Sequence, residues 1–329
     1  MSRVGFTTTI PVEIILAAGK TPVDLNNIFI TDKDPVKMAE TAEDEGLPRN
    51  LCAWIKGIYT AVKTADIDEV VAVTQGDCSN SHALAELFIE AGIKVHSFSY
   101  PFEKETRYEQ LKAEMERFAA SMGTTLKSAV EYSKYTDPVR EKLRRLDRMT
   151  VEGQVSGFEN HLWLVTSTDF NTNLITYDKD LDDFLAMTES RFAEEGGLRI
   201  GFIGVPTIFS DIYQFLEEKG AKVVYNEIQR QFAIPSDHED YVQRYADYTY
   251  PYDVFGRLED IQKAVDERKL DGIIHYVQSF CYRQMQDIII RKNIKCPILT
   301  IEGDAPSGID ARTKIRIESF LEMLSARKK

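Results

Sequence analysis

Residues 271–281 read Asp-Gly-Ile-Ile-His-Tyr-Val-Gln-Ser-Phe-Cys, and residues 68–78 read Asp-Glu-Val-Val-Ala-Val-Thr-Gln-Gly-Asp-Cys. Each stretch sets an Asp ahead of a β-branched pair, Ile273-Ile274 in one and Val70-Val71 in the other. Gln278 and Gln75 stand seven positions after that Asp, and Cys281 and Cys78 stand ten after it. An apolar run of this length between polar residues reads as a strand buried in a parallel sheet. In open α/β sheets, ligands gather beyond the carboxyl ends of the strands. A cysteine placed there once in each half of the chain is therefore a candidate site.

The repeat extends beyond these two strands. Segment 4–10, carrying Gly5-Phe6, is a predicted strand stopped by Pro11; segment 198–206, carrying Gly201-Phe202, is a predicted strand stopped by Pro206. A helix follows each, over 12–18 and up to Lys219, with Gly19 and Gly220 at the expected C-cap positions. A second strand comes next, over 22–25 and over 222–227, and the Gln-and-Cys strand closes each series. Gly5 to Cys78 covers 73 positions and Gly201 to Cys281 covers 80. A matched order at such a spacing marks an internal duplication. Between the halves, helical periodicity is expected over 109–122, 125–132, 138–149 and 181–192, with 153–161 as a loop. The acidic segment 32–46 also reads as a loop. Further strands are expected over 94–100 and 298–302, a helix from Cys281 to Lys292, and a terminal helix over 314–325. The expected architecture is α/β, with two Rossmann- or flavodoxin-like parallel-sheet domains related by duplication and a helical segment between them. The boundaries are 1–102 for the N-terminal α/β domain, 103–196 for the helical region, 197–307 for the C-terminal α/β domain and 308–329 for the C-terminal helix.

Charge narrows the partners. Forty basic residues against 53 acidic ones give a net charge of −13, which disfavours nucleic acid or an anionic membrane surface, because phosphate contacts need clustered Lys and Arg. The basic run 140–148 reads as the solvated face of a helix, and 327–329 as a frayed end. No apolar run reaches the roughly 20 residues that span a bilayer, and the N-terminus reads as a strand rather than a leader, so a cytoplasmic location is expected. Ala18-Gly19-Lys20-Thr21 imitates the end of a P-loop, but Ile14 stands where that motif requires its first Gly. Here Gly-Lys-Thr closes a helix, which argues against an NTPase.

Only four cysteines occur, at 52, 78, 281 and 296, with no Cys-x-x-Cys pair, so a disulfide framework is not expected. Asn50 as N-cap, with Leu51, Trp54, Ile55 and Ile58 at helical spacing, puts Cys52 in the first turn of a helix. Cys78 also precedes a helix. A helix N-terminus favours a thiolate. His82, four residues after Cys78, and His275, within its strand, are the nearby imidazoles; both read as structural, His275 as a packed, hydrogen-bonded core side chain. Cys296, before Pro297, reads as structural too. A structural zinc site takes four ligands in close pairs, and these are absent. Three cysteines from three separate elements, Cys52, Cys78 and Cys281, fit a [4Fe–4S] cluster best, with one iron left without a protein thiolate.

The joint order of these features resembles the 2-hydroxyacyl-CoA dehydratase and benzoyl-CoA reductase subunit family, to which the double-cubane cluster proteins are related. Residues 11–23, Pro-Val-Glu-Ile-Ile-Leu-Ala-Ala-Gly-Lys-Thr-Pro-Val, look like the family's opening segment. Cys52, Gln75 to Cys78 and Ser279 to Cys281 match its three cysteine motifs, and Val155-Ser156-Gly157-Phe158-Glu159 a motif of its middle region. Ile301-Glu302-Gly303-Asp304 and Arg316-Ile317-Glu318-Ser319-Phe320-Leu321-Glu322 match its closing strand and helix. The resemblance implies an oxygen-sensitive iron–sulfur protein of anaerobic metabolism, with a cluster on Cys52, Cys78 and Cys281. It further implies an ATP-dependent activator protein as electron donor, an acyl-CoA substrate dehydrated through a ketyl radical, and a homodimer or a heterodimer with a paralogous subunit. Glu13 is the candidate catalytic residue on the substrate side, with solvation on the first helix as its alternative. Three available cysteines favour a single cubane, and no CoA phosphate cradle is recognisable. A reductive enzyme acting on a small non-CoA substrate and a non-catalytic electron-transfer subunit remain the competing readings.

Overall fold

Strands that bury both faces need no alternation of polar and apolar residues, and Val70, Val71, Ala72 and Val73, or Ile273 and Ile274, are wholly enclosed. The computed structural model describes residues 1–192 and 196–328. Residues 193–195 of the expected helical region and Lys329 of the expected C-terminal helix lie outside the described residues.

In chain order the first half runs β1 (Arg3–Phe6), α1 (Val12–Ala17), β2 (Thr21–Asp24), α2 (Leu25–Thr31), α3 (Pro35–Asp44), α4 (Ala53–Thr64), β3 (Glu69–Gln75), α5 (Asn80–Glu90), β4 (Lys94–Ser99) and α6 (Arg107–Met122). The long α7 (Leu126–Glu152) and then α8 (Gly157–Thr166) follow. The second half brings β5 (Leu198–Gly204), β6 (Ala221–Asn226), β7 (Gly272–Gln278) and β8 (Ile298–Gly303), with the helix Ala311–Lys328 at the end.

The two sheets have the same plan. Strand order is β2-β1-β3-β4 in one and β6-β5-β7-β8 in the other, and every pairing is parallel. The fold is thus α/β with two four-stranded parallel sheets, as expected. By contacts the chain divides into two compact units. The first comprises Met1–Glu141, Thr166–Asp180 and Phe232–Asp253; the second comprises Lys142–Val165, Leu181–Gln231 and Val254–Lys329. The core of the second gathers Ile203, Val224, Ile261, Ile273 and Ile290, among others, each fully buried aliphatic side chain stabilising by about 1.5–3 kcal/mol.

Three expectations fail for local reasons. The acidic segment 32–46 contains α3: Asp34 accepts from Lys37 N at 3.0 Å, Pro35 takes the first helical position, and Met38, Ala39 and Ala42 bury one face. Residues 157–161 belong to α8, whose start is a capping box, with Ser156 N donating to Glu159 Oε2 (2.9 Å) and Glu159 N to Ser156 Oγ (3.1 Å). The segments 125–132 and 138–149 are one helix, α7, which continues through Pro138.

Candidate functional site

In each sheet the connection from the first strand goes to one side and the next strand in sequence adds on the other. This makes the gap between β1 and β3, and likewise between β5 and β7, the switch point at which α/β sheets bind ligands. Cys78 lies three residues beyond the end of β3, and Cys281 three beyond the end of β7. The repeated sequence therefore puts one thiol at the switch point of each sheet.

Local geometry turns each thiol out of its strand. Gly76 takes a φ of +99°, and a Cβ there would stand 2.8 Å from Pro251 and 3.0 Å from Tyr100, so only glycine fits. Asp77 then accepts from Cys78 N (2.8 Å) and from Ser81 Oγ (2.9 Å), which ties the loop to the start of α5. In the second sheet Phe280 carries the turn at a φ of +65°, a conformation costly for an aromatic residue. Cys281 N donates to Gln278 O and Gln284 N to Cys281 O, both at 3.1 Å. Phe280, Tyr282, Met285 and Ile288 around it are exposed.

Cys52 is the N-cap of α4 rather than a first-turn residue; its carbonyl accepts from Ile55 N (3.1 Å) and Lys56 N (3.2 Å). It is buried, and its thiol lies within electrostatic reach of Cys78. Burial, the charge of Asp77 and the Cys52 thiol together push the Cys78 thiol up to about 12. The expected thiolate is thus not the state of Cys78 in the bare chain: the N–H groups of Asn80 and Ser81 pull the other way but are outweighed. A metal that binds there has to displace the proton. Among the described residues, no group of three or more His, Cys, Asp or Glu side chains is gathered closely enough to hold a metal ion. The first unit brings Cys52 and Cys78 together; Cys281 stands in the second. In kind, three soft thiol donors suit an iron–sulfur group.

The remaining candidates sort clearly. No disulfide joins the cysteines, and Cys296 packs against the second unit's core with Sγ 3.8 Å from Leu270 O. His82 is exposed and its Nε2 meets Thr74 O at 2.6 Å. His275 is buried with Nδ1 2.7 Å from Asp287 Oδ1, the packed core histidine expected of it.

Glu13 departs furthest from its solvated alternative: it is 0% exposed. Arg140 Nη2 lies 2.6 Å from its Oε1, to which Thr136 Oγ1 donates at 2.8 Å. Tyr241 and Tyr245 donate to Oε2 at 3.0 and 2.8 Å. Arg140 in turn is 5% exposed, so the run 140–148 is not a solvated face at its first member. The sequence held no signal for this network, since Tyr241 and Tyr245 lie 228 and 232 residues from Glu13. The second unit has its own buried ion pair, in which Arg257 Nε and Nη2 donate to Glu227 at 2.7 and 2.8 Å and Glu227 accepts from Gly204 N at 2.9 Å.

Two comparisons with known proteins bear on this arrangement. The family model described as 2-hydroxyglutaryl-CoA dehydratase, D-component, matches residues 7–324. No curated protein matches the chain.

Proposed function

The chain belongs to the 2-hydroxyglutaryl-CoA dehydratase D-component family, a component of the 2-hydroxyacyl-CoA dehydratase type, and on that premise we propose that it holds a [4Fe–4S] cluster through Cys52, Cys78 and Cys281. In this reading an ATP-dependent activator delivers the electron, the substrate is an acyl-CoA, and the working unit is a dimer with a second copy or a paralogous subunit. When bound, the cluster supplies one-electron redox chemistry. The chain's own residues contribute placement: Gly76 and Phe280 bend the backbone out of β3 and β7, Asp77 fixes the Cys78 loop, and the start of α4 presents Cys52 beside it. The observation that carries the reading is the matched position of Cys78 and Cys281 at the switch points of two sheets with one plan.

Anaerobic reconstitution tests it. The protein is expected to turn brown, with about four irons and four sulfides per chain, and to give a cluster EPR signal on reduction. Cys52→Ala, Cys78→Ala and Cys281→Ala each lose the iron, whereas Cys296→Ala keeps it. A colourless, iron-free wild type after reconstitution would overturn the proposal. A panel of 2-hydroxyacyl-CoAs that leaves the EPR signal unchanged would overturn the dehydratase assignment.

A further inference from the structure

The two thiol turns of the repeat are held by different means. Gly76-Asp77-Cys78 and Ser279-Phe280-Cys281 stand at equivalent places. In the first turn Asp77 is the tie, accepting from Cys78 N and from Ser81 Oγ. In the second its place is taken by Phe280, whose side chain has no acceptor and whose φ is +65°. That turn therefore has backbone strain to contain and no carboxylate at this position to contain it.

A single 3-10 turn, Tyr282–Met285, follows, with Cys281 at its N-cap and Gln286 at its C-cap. Its start is held from its own strand: Cys281 N donates to Gln278 O at 3.1 Å, and Gln284 Nε2 donates to the same oxygen at 2.5 Å. Its end is held from elsewhere in the unit, where Arg257 Nη1 donates to Gln286 Oε1 at 2.5 Å. Arg257 stands on the helix Val254–Glu267 at 1% exposure. Its Nε and Nη2 fork onto Glu227, 0% exposed, at 2.7 and 2.8 Å. Glu227 also accepts from Gly204 N at 2.9 Å, at the last residue of β5, the strand beside β7. One chain of contacts thus runs from the end of β5 to the end of the Cys281 turn, wholly within the second unit.

A fully buried ion pair is often no more stabilising than packed apolar side chains of the same volume. What a planar fork does fix is direction. With Nε and Nη2 committed to both oxygens of Glu227, the guanidinium plane is set, and Nη1 is left aimed at Gln286. We infer that Arg257 and Gln286 are positioning residues for Cys281, a clamp that does for the second turn what Asp77 does for the first. The clamp acts on the bare chain, before any metal binds; that the thiol so placed is a cluster ligand rests on the function proposed above.

Gln286→Ala cuts the clamp and leaves the Arg257–Glu227 pair in place, whereas Gln286→Glu offers Arg257 Nη1 a carboxylate oxygen instead. The first readout is amide hydrogen exchange on the full chain without iron. Gln286→Ala is expected to speed exchange over 281–286 about tenfold, the share of one charge-assisted hydrogen bond, with β7 and the helix Val254–Glu267 exchanging as in wild type. Gln286→Glu should restore the wild-type rate. Unchanged exchange over 281–286 in Gln286→Ala, equal acceleration in β7, or no rescue by Gln286→Glu overturns the clamp. The second readout is the EPR signal of reconstituted protein at equal iron content, expected to shift or broaden in Gln286→Ala and to match wild type in Gln286→Glu. A Gln286→Ala signal identical to wild type means that the turn does not position the thiol, and overturns the inference. Wild type that takes up no iron sinks the cluster proposal instead, and exchange alone then decides the clamp.

Discussion

Glu13 and Asp169 are both enclosed carboxyls of the first unit, and their surroundings drive them in opposite directions. Burial alone would raise Glu13, but Arg140 and the Thr136 and Tyr245 hydroxyls outweigh it and hold the carboxyl below its ordinary range. The stabilisation from this pair is complete above the unfolded value of about 4.3 and is lost as pH falls through the depressed native value. Glu13→Gln strands a buried guanidinium and is expected to cost about 3–5 kcal/mol in urea unfolding at neutral pH, with the gap to wild type closing under acid. An equal gap at both pH values would contradict this. Burial and the Asp24 carboxylate push Asp169 up to about 8, even though Asp24 N donates to it at 2.8 Å. From the unfolded value of about 4 upward to that native value, the folded chain keeps a proton that the unfolded chain releases, so stability falls as pH rises. Asp169→Asn is expected to flatten that decline and to outlast wild type at alkaline pH, as read from Tm against pH. Glu13 was a candidate only through the family resemblance of residues 11–23; its partners were not legible, because the residues that bury it come from distant segments that no local spacing encodes.

At the scale of elements, the strands were the most legible part of the chain. Strand β3 and strand β7 fall where unbroken β-branched runs stand between polar residues, because burial on both faces selects that composition locally. Helices whose signal lies in their caps were missed, as with Asp34-Pro35 ahead of α3 and the Ser156-to-Glu159 box ahead of α8, where charge and glycine masked the start. Pro138 suggested a break, but α7 continues through it and presents Thr136 and Arg140, on either side, to Glu13. The end of β5 offers a sharp test. Gly204 takes a φ of +92°, and a Cβ there would stand 2.1 Å from Tyr276 O of the neighbouring β7. Gly204→Ala therefore meets backbone, not a movable side chain, and is expected to cost about 3 kcal/mol or more, measured as a lowered urea midpoint. A midpoint unchanged from wild type would mean that β5 and β7 part there without penalty.

For the whole molecule, a net charge of −13 sets how it meets anions. Its field reaches about 30 Å at 0.01 M salt and about 8 Å at 0.15 M. Association with a polyanion such as CoA is therefore expected to be slower in dilute buffer and to quicken as salt is added, which stopped-flow mixing at the two ionic strengths would read; quickening on dilution would point instead to a dominant local basic patch. No helix among the described residues is long and apolar enough to cross a membrane. The sequence by itself determined the two parallel α/β halves and the placing of Cys78 and Cys281 just beyond matched strands, because glycine stops, proline ends and apolar runs act over a few residues. Only the tertiary structure decided that each contact unit draws on three separate stretches of chain, that Arg140 is interior rather than solvated, and that burial outweighs the Asn80 and Ser81 N–H groups and raises the Cys78 thiol. Those outcomes depend on what removes water from a charge, and desolvation is a property of the packed neighbourhood, not of the residues next in sequence.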